Sequence, residues 1–95
     1  MYDRFLYFVD NCGAEYFDRT DLTGFDANLA RLARNAPYAH AGRKFQDDTV
    51  RGFFEQFDWY YPVIEPSAFQ ETMLNDCETA NKNLVIKYER EMGYK

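Results

Sequence analysis

Residue types that build metal and catalytic sites are scarce in this chain of 95 residues. It contains one histidine and two cysteines, and these lie far apart in the sequence. A zinc site usually needs about four ligands in closely spaced pairs, which this chain does not supply. It also has no phosphate-binding glycine loop and no nucleophile elbow. The acidic residues of the first third lack the alternating spacing of a calcium loop; they are Asp10, Asp18, Asp21 and Asp26. We therefore expect no metal and no cofactor.

An excess of positive charge is also missing. The chain carries 16 acidic and 11 basic side chains, for a formal net charge of −5. A phosphate backbone is an unfavourable partner for such a surface, so we expect no binding to nucleic acid. No apolar run is long enough to cross a membrane, and residues 5–9 lack the flanks of a signal peptide. We expect either a cytosolic protein or a domain cut from a larger one.

Aromatic residues, in contrast, are abundant. They make up 19% of the sequence, with nine phenylalanines and eight tyrosines. A chain of this length forms one domain with one core, and large rings can build that core with few aliphatic residues. Cys12 and Cys77 are predicted to be free, partly buried thiols, with a disulfide between them as the alternative.

The hydrophobic pattern predicts a mainly α fold, a small three-helix domain with an extended N-terminal arm. The arm comprises residues 1–20, which lack sustained helical spacing and could contain one short strand at residues 5–9. It is expected to pack on the helices of residues 21–95. The first helix is predicted to begin near Thr23, with Asp26 completing a capping pattern. Pro37 predicts a kink or break near residues 35–36, and Gly42 is the predicted end.

Two further helices are predicted. The second begins at Asp47 or Asp48, and Gly52 inside it suggests a close neighbour at that position. The third begins at a capping box of Ser67 and Gln70 and ends at Gly93. The second helix buries Val50, Phe53, Phe54 and Phe57. The third has an apolar stripe, interrupted by Asn81, of Met73, Leu74, Cys77, Leu84, Val85, Tyr88 and Met92.

A series of spaced motifs gives the chain a family resemblance. The central motif is Tyr38, Ala39, His40, Ala41 and Gly42, with Ala33, Arg34 and Asn35 before it and Arg43, Lys44 and Phe45 after it. Downstream follow Phe53, Phe54, Trp59, Tyr60 and Pro62, and then Phe69, Leu74, Asn75, Glu78, Asn81, Tyr88 and Glu89. In this order and spacing the sequence resembles the YARHG domain, a small bacterial module, from about residue 21 to residue 89.

The chain departs from the family pattern inside the central motif. The family usually has an acid and an aliphatic residue at the positions of Ala36 and Pro37, and arginine followed by histidine at the positions of His40 and Ala41. The resemblance implies a compact, mostly helical domain of an exported or envelope-associated bacterial protein. It implies no catalytic residue, because the family is not known for any reaction.

The candidate binding residues lie in the central motif and in the aromatic run after the second helix. They are Arg34, Tyr38, His40, Arg43, Lys44, Trp59, Tyr60 and Tyr61. Consecutive rings on a loop cannot all face inward, so at least one of the three aromatic residues should be exposed. The alternative is that these side chains are structural, with Arg34 paired to an acid of the third helix such as Glu78.

We expect a non-enzymatic accessory module of an envelope-associated or secreted protein, which binds protein or cell-wall material. The alternative is a small acidic cytosolic protein that inhibits or adapts another protein by direct binding. A third class is a small hydrolase in which His40 acts with Cys12 or Cys77, although no motif marks a nucleophile beside this histidine. The sequence leaves the partner and the oligomeric state open.

Overall fold

Four α-helices form the domain. In the computed structural model, which describes residues 2–94 and the side chains of residues 4–94, they are α1 (Tyr2–Asn11), α2 (Ala27–His40), α3 (Asp48–Glu55) and α4 (Asp76–Met92). Three short 3₁₀ turns span Arg19–Leu22, Pro66–Ala68 and Glu71–Met73. Residues 2–94 contain no β-strand, and one isolated parallel bridge joins Arg43 to Ile64. The mainly α fold class is confirmed.

The prediction of an extended arm over residues 1–20 is wrong for residues 2–11, which form the helix α1, and its residue 1 lies outside the described residues. Phe5, Phe8, Val9 and Cys12 recur at positions i, i+3, i+4 and i+7, and all four are fully buried. This is the spacing of an amphipathic helix. The predicted strand at residues 5–9 therefore does not form. These four side chains belong to the hydrophobic core, and Phe17 packs against it.

Helix α2 occupies the centre of the domain and contacts α1, α3 and α4. Its N-cap is Asp26, whose side chain accepts a hydrogen bond from the Leu29 amide, whereas Thr23 ends the preceding 3₁₀ turn. The helix continues through Pro37, so the predicted break is absent. Pro37 removes one backbone donor, but tertiary packing of the buried face, which includes Pro37 itself, offsets that loss. The other buried residues of α2 are Ala30, Ala33, Ala36 and Ala39.

Helix α3 begins where the sequence predicts. Asp47 is its N-cap and accepts hydrogen bonds from the amides of Thr49 and Val50. Val50 and Phe54 are buried, and Phe53 and Phe57 pack partly buried against the core. No atom lies within 4 Å of a Cβ built on Gly52, so the expected close neighbour is absent.

Helix α4 begins later than predicted. Its capping box is Asn75 with Glu78, in which each side chain bonds the other residue's backbone amide at 2.7–2.8 Å. Ser67 and Gln70 do not form the predicted box, because residues 66–73 fold into two 3₁₀ turns instead. Gly93 ends α4 in the left-handed conformation at φ +73°, as predicted.

Asn81 of α4 explains the polar interruption in the predicted apolar stripe. It is 1% exposed, and its side-chain amide donates to the carbonyl oxygens of Cys12 and Glu15 at 2.8 and 2.7 Å. Its side-chain oxygen accepts a hydrogen bond from the Phe17 amide at 3.0 Å. One buried amide thus holds the irregular segment between α1 and the first 3₁₀ turn against α4.

Candidate functional site

The central sequence motif ends α2 and turns the chain toward a second segment. Gly42 has φ +90°, a conformation that glycine adopts without the penalty of a side chain. Its carbonyl oxygen accepts hydrogen bonds from the amides of Val63 and Ile64, and the Lys44 amide donates to the Ile64 carbonyl at 2.8 Å. A Cβ on Gly42 would lie 3.3 Å from the Tyr61 carbonyl oxygen. The glycine therefore lets residues 42–44 lie beside residues 61–64.

His40 and Trp59 form a stacked pair that faces α1. Their ring centroids are 3.8 Å apart with an interplanar angle of 10°. The His40 Nε2 atom lies 2.7 Å from the Val9 carbonyl oxygen, which can only accept, so this nitrogen carries the proton. The Trp59 indole donates to Asp10 at 3.1 Å. These contacts connect the end of α2 and the aromatic run to the end of α1.

The two cysteines are free, as predicted. Cys12 is fully buried, and burial, followed by the nearby Glu78 carboxylate, raises the pKa of its thiol far above the ordinary value. A protonated, inaccessible thiol is a poor nucleophile. Cys77 is partly exposed. The residues described contain no group of three or more acidic, histidine or cysteine side chains placed to hold a metal ion.

The three consecutive aromatic residues have different environments. Trp59 is half-buried in its stack, and Tyr60 is 7% exposed and donates its hydroxyl to the Arg43 carbonyl at 2.9 Å. Tyr61 is 74% exposed. Lys44, the other basic neighbour, forms a surface ion pair with Glu65 at 2.5 Å. Among these three aromatic residues, Tyr61 is therefore the most exposed to solvent.

Arg34 pairs with an acid of α4, but the acid is Glu89. The Arg34 Nε atom lies 2.8 Å from the Glu89 carboxylate, whose side chain is 3% exposed. Glu78, which the sequence suggested as the partner, is instead engaged in the capping box of α4. An almost fully buried carboxylate needs a cation, so Arg34 has a structural role at its Nε atom.

Two adjoining cavities lie between α2 and the loop residues 43–47 and 66–71. Their volumes are about 360 and 290 Å³. We call them together the arginine cleft, because Arg34, Asn35, Arg43 and Pro66 line both. The first is also lined by Arg31, Phe45, Gln46, Asp47 and Val50, and the second by Tyr38, Phe69 and Glu71.

A hydrogen-bonded group closes one end of the cleft. The Tyr38 hydroxyl donates to Glu71 at 2.8 Å, and Lys82 pairs with the other oxygen of Glu71 at 2.9 Å. Burial and the bond to Glu71 raise the pKa of Tyr38 to about 12. The bond from Lys82 is the main reason that the pKa of Glu71 is lowered. The phenol is therefore neutral and the carboxylate ionised at neutral pH.

The structure separates the eight predicted binding residues into two groups and leaves Lys44 and Tyr61, described above, outside both. Arg34, Tyr38 and Arg43 lie together in the arginine cleft. His40, Trp59 and Tyr60 make internal contacts instead. The sequence reasoning missed Pro66 and Phe69 as cleft residues. The proline pair of residues 62–66 marks a loop, but the sequence has no signal that places this loop opposite α2.

The fold and the cleft together define a small all-α domain with an arginine-lined recess on one side. The family model of the YARHG domain matches residues 6–90, so the chain belongs to the YARHG domain family. The match extends back into α1, which the motif comparison did not include. Neither the curated proteins nor the solved structures give a match to this chain. No helix of the described residues is long and apolar enough to cross a membrane.

Proposed function

We propose that this YARHG domain is a non-enzymatic interaction module that binds its partner at the arginine cleft. The observation that carries the proposal is the cleft itself, where cationic side chains stand beside aromatic rings in a recess of an otherwise acidic protein. Such a recess can orient a ligand by hydrogen bonds and contact its apolar parts with the rings. Tyr61, exposed on the neighbouring segment, extends the available surface.

The environments of His40 and Cys12 favour binding over chemistry at this pair. The Nε2 atom of His40 is engaged by the Val9 carbonyl, and Cys12 is buried with a raised pKa. A hydrolase that uses this pair would need an accessible thiolate. These observations support a module without enzymatic activity.

We further propose an exported or envelope-associated setting, with protein or cell-wall material as the partner. YARHG domains typically occur in exported proteins, which supports this setting. The competing proposal is a cytosolic protein that inhibits or adapts another protein. It uses the same cleft and differs in where the partner is found.

Site-specific photo-crosslinking in cells tests whether a partner binds at the arginine cleft. The crosslinking amino acid replaces Gln46, which is exposed and lines the cleft, and in a matched control it replaces exposed Lys87 of α4. We expect an adduct from position 46 that is absent from position 87 and lost when Arg43→Glu is added. Identical adducts at both positions, or none at position 46, would contradict the proposal.

Titration of the isotope-labelled domain tests separately whether the partner is cell-wall material. Solubilised cell-wall fragments should shift the amide resonances of residues 43–47 and 67–71 if they occupy the cleft. If they leave these resonances unchanged while the crosslink to a protein persists, the partner is a protein.

A further inference from the structure

Arg43 has an unusual environment for an arginine in a folded domain. Its guanidinium carbon lies 5.7 Å from the ring centroid of Tyr38, 5.6 Å from that of Phe45 and 6.0 Å from that of Phe69. These distances fall in the range of cation–π attraction, so the aromatic faces hold the guanidinium in place. A held guanidinium loses less side-chain entropy when it binds a ligand.

The side-chain donors of Arg43 have no hydrogen-bond acceptor within the described part of the chain. Its side chain appears in none of the ion pairs or side-chain hydrogen bonds of residues 4–94, whereas other arginines do have carboxylate partners. Those pairs are Arg19 with Glu91, Arg31 with Asp47, Arg34 with Glu89 and Arg51 with Asp48. A guanidinium carries five N–H donors in a planar fork that fits a carboxylate. The guanidinium donors of Arg43 are therefore available to bind an anion in the cleft.

Arg34 contributes a second set of donors at the same place. Its Nε atom is bound to Glu89, and no described acceptor bonds its terminal nitrogens. Because Arg34 and Arg43 line both cavities, their free nitrogens border a common space. Two arginines around one recess are a frequent arrangement for an anionic group.

The local charge balance indicates which anion fits. The charged residues that line the cleft, together with their ion-pair partners, are four cations and three carboxylates, which leaves one positive charge uncompensated. The cations are Arg31, Arg34, Arg43 and Lys82, and the carboxylates are Asp47, Glu71 and Glu89. One uncompensated positive charge matches a monoanion such as a carboxylate. A phosphate dianion would exceed it and would also approach the carboxylates of Asp47 and Glu71.

We propose that the arginine cleft binds a carboxylate of a peptide, held by Arg43 and the free nitrogens of Arg34, with the adjoining peptide against Tyr38 and Phe69. This inference rests on the proposed function and names the chemistry of its ligand. The carboxylate can be a chain terminus or an acidic side chain. Both present the same two oxygens, and the experiment distinguishes them.

Nuclear magnetic resonance of the arginine Nε–H groups measures the binding directly. The full chain is titrated with N-acetyl-alanine, which has a terminal carboxylate, and with N-acetyl-glutamate α-amide, which has a side-chain carboxylate. N-acetyl-alanine amide is the neutral control, and inorganic phosphate is the competing anion. We expect the Arg43 Nε–H resonance to shift and saturate with at least one carboxylate probe, to stay unchanged with the amide, and to respond more weakly to phosphate.

Variants test the role of the fork. Arg43→Lys keeps the charge but not the paired donors, so the affinity for the better carboxylate probe should fall about tenfold. Arg43→Gln should abolish saturable binding, and Arg90→Gln, on the exposed end of α4, should leave it unchanged. The titration of the unmodified protein already distinguishes carboxylate binding from amide binding. The inference can therefore be tested even if a variant fails to fold.

Equal responses to the amide and the carboxylates would overturn the inference, and so would tighter binding of phosphate or unchanged binding in Arg43→Gln. A crosslink at position 46 that persists while no carboxylate probe binds would refute the carboxylate assignment alone. The proposed interaction module would then still stand.

Discussion

Buried polar side chains decide much of how this small domain holds together. Every buried side-chain nitrogen and oxygen of the described residues has a hydrogen-bond partner. Asn81 and Glu89 are the most deeply buried of these groups, and each binds a segment distant in sequence. Burying an amide or carboxylate without partners would cost free energy, so these residues help to select one arrangement of the helices.

Asn81→Ala should destabilise the domain strongly. The substitution removes three hydrogen bonds to the backbone of Cys12, Glu15 and Phe17 and leaves their polar groups short of partners. Losses of about 2–4 kcal/mol in the free energy of unfolding are expected for such a site. Urea denaturation of the variant measures the effect. Asn83→Ala, an exposed change two positions along the same helix, is the control and should cost less than about 0.5 kcal/mol.

At the scale of elements, α2, α3 and α4 each begin at a side-chain cap, and a glycine turn follows α2 and α4. Asp26, Asp47 and Asn75 each accept hydrogen bonds from the first free amides of the helix that follows. Gly42 and Gly93 permit the left-handed conformations after α2 and α4. Replacing an N-cap residue or one of these glycines acts mainly on the local backbone. Such substitutions at helix ends therefore test the contribution of a single residue to stability.

Gly52→Ala should stabilise the domain through α3. The position is exposed, lies inside a helix and has nothing within 4 Å of an added Cβ, so alanine gains helix propensity without a clash. An increase of about 0.5–1 kcal/mol in the free energy of unfolding is expected. The contrasting variant is Gly42→Ala, which should lose about 1–3 kcal/mol because φ is +90° there. Stabilisation by both changes would contradict this account of the two glycines.

Local signals in the sequence predicted some helix ends well and others badly. The start of α3, predicted at Asp47 or Asp48, and the end of α4, predicted at Gly93, are confirmed. The two candidates for the start of α3 are neighbours in the sequence, and no other glycine lies near the end of α4. The start of α4 was misplaced because Ser67 with Gln70 and Asn75 with Glu78 have the same spacing, and tertiary contacts decided between them. One such contact is the hydrogen bond from the Asn75 side chain to the Gly13 carbonyl.

The candidate site was predictable only in part, for a related reason. Arg34, Tyr38 and Arg43 lie on one continuous stretch, so a sequence motif can group them. Phe69 reaches the same cleft from a loop that the fold brings across α2. Neither periodicity nor spacing encodes such a long-range approach.

Across the whole molecule, tyrosines and one thiol make the fold sensitive to alkali. Burial is the main cause of the raised pKa at Tyr38, Tyr60, Tyr88 and Cys12. In the unfolded chain these tyrosines ionise near their ordinary pKa of about 10. Above the ordinary pKa values of these groups, the folded state therefore holds protons that the unfolded state has released. The free energy of unfolding must fall as the pH rises from those ordinary values toward the raised values of the folded state.

The free energy of unfolding should accordingly change little up to about pH 8 and begin to decline as the Cys12 thiol of the unfolded chain ionises near its ordinary pKa of about 8.5. It should fall more steeply between about pH 10 and pH 12, where the tyrosines of the unfolded chain ionise. Tyr38 contributes across this window, because its folded pKa of about 12 lies above the unfolded value. Urea titrations at several pH values, with tyrosinate absorbance recorded in parallel, measure both quantities. Tyr38→Phe should make the decline shallower, whereas Tyr61→Phe should not alter it, since the Tyr61 ring lies in solvent. A stability that stays constant to pH 12 would show that the buried phenols do not distinguish the folded chain from the unfolded one.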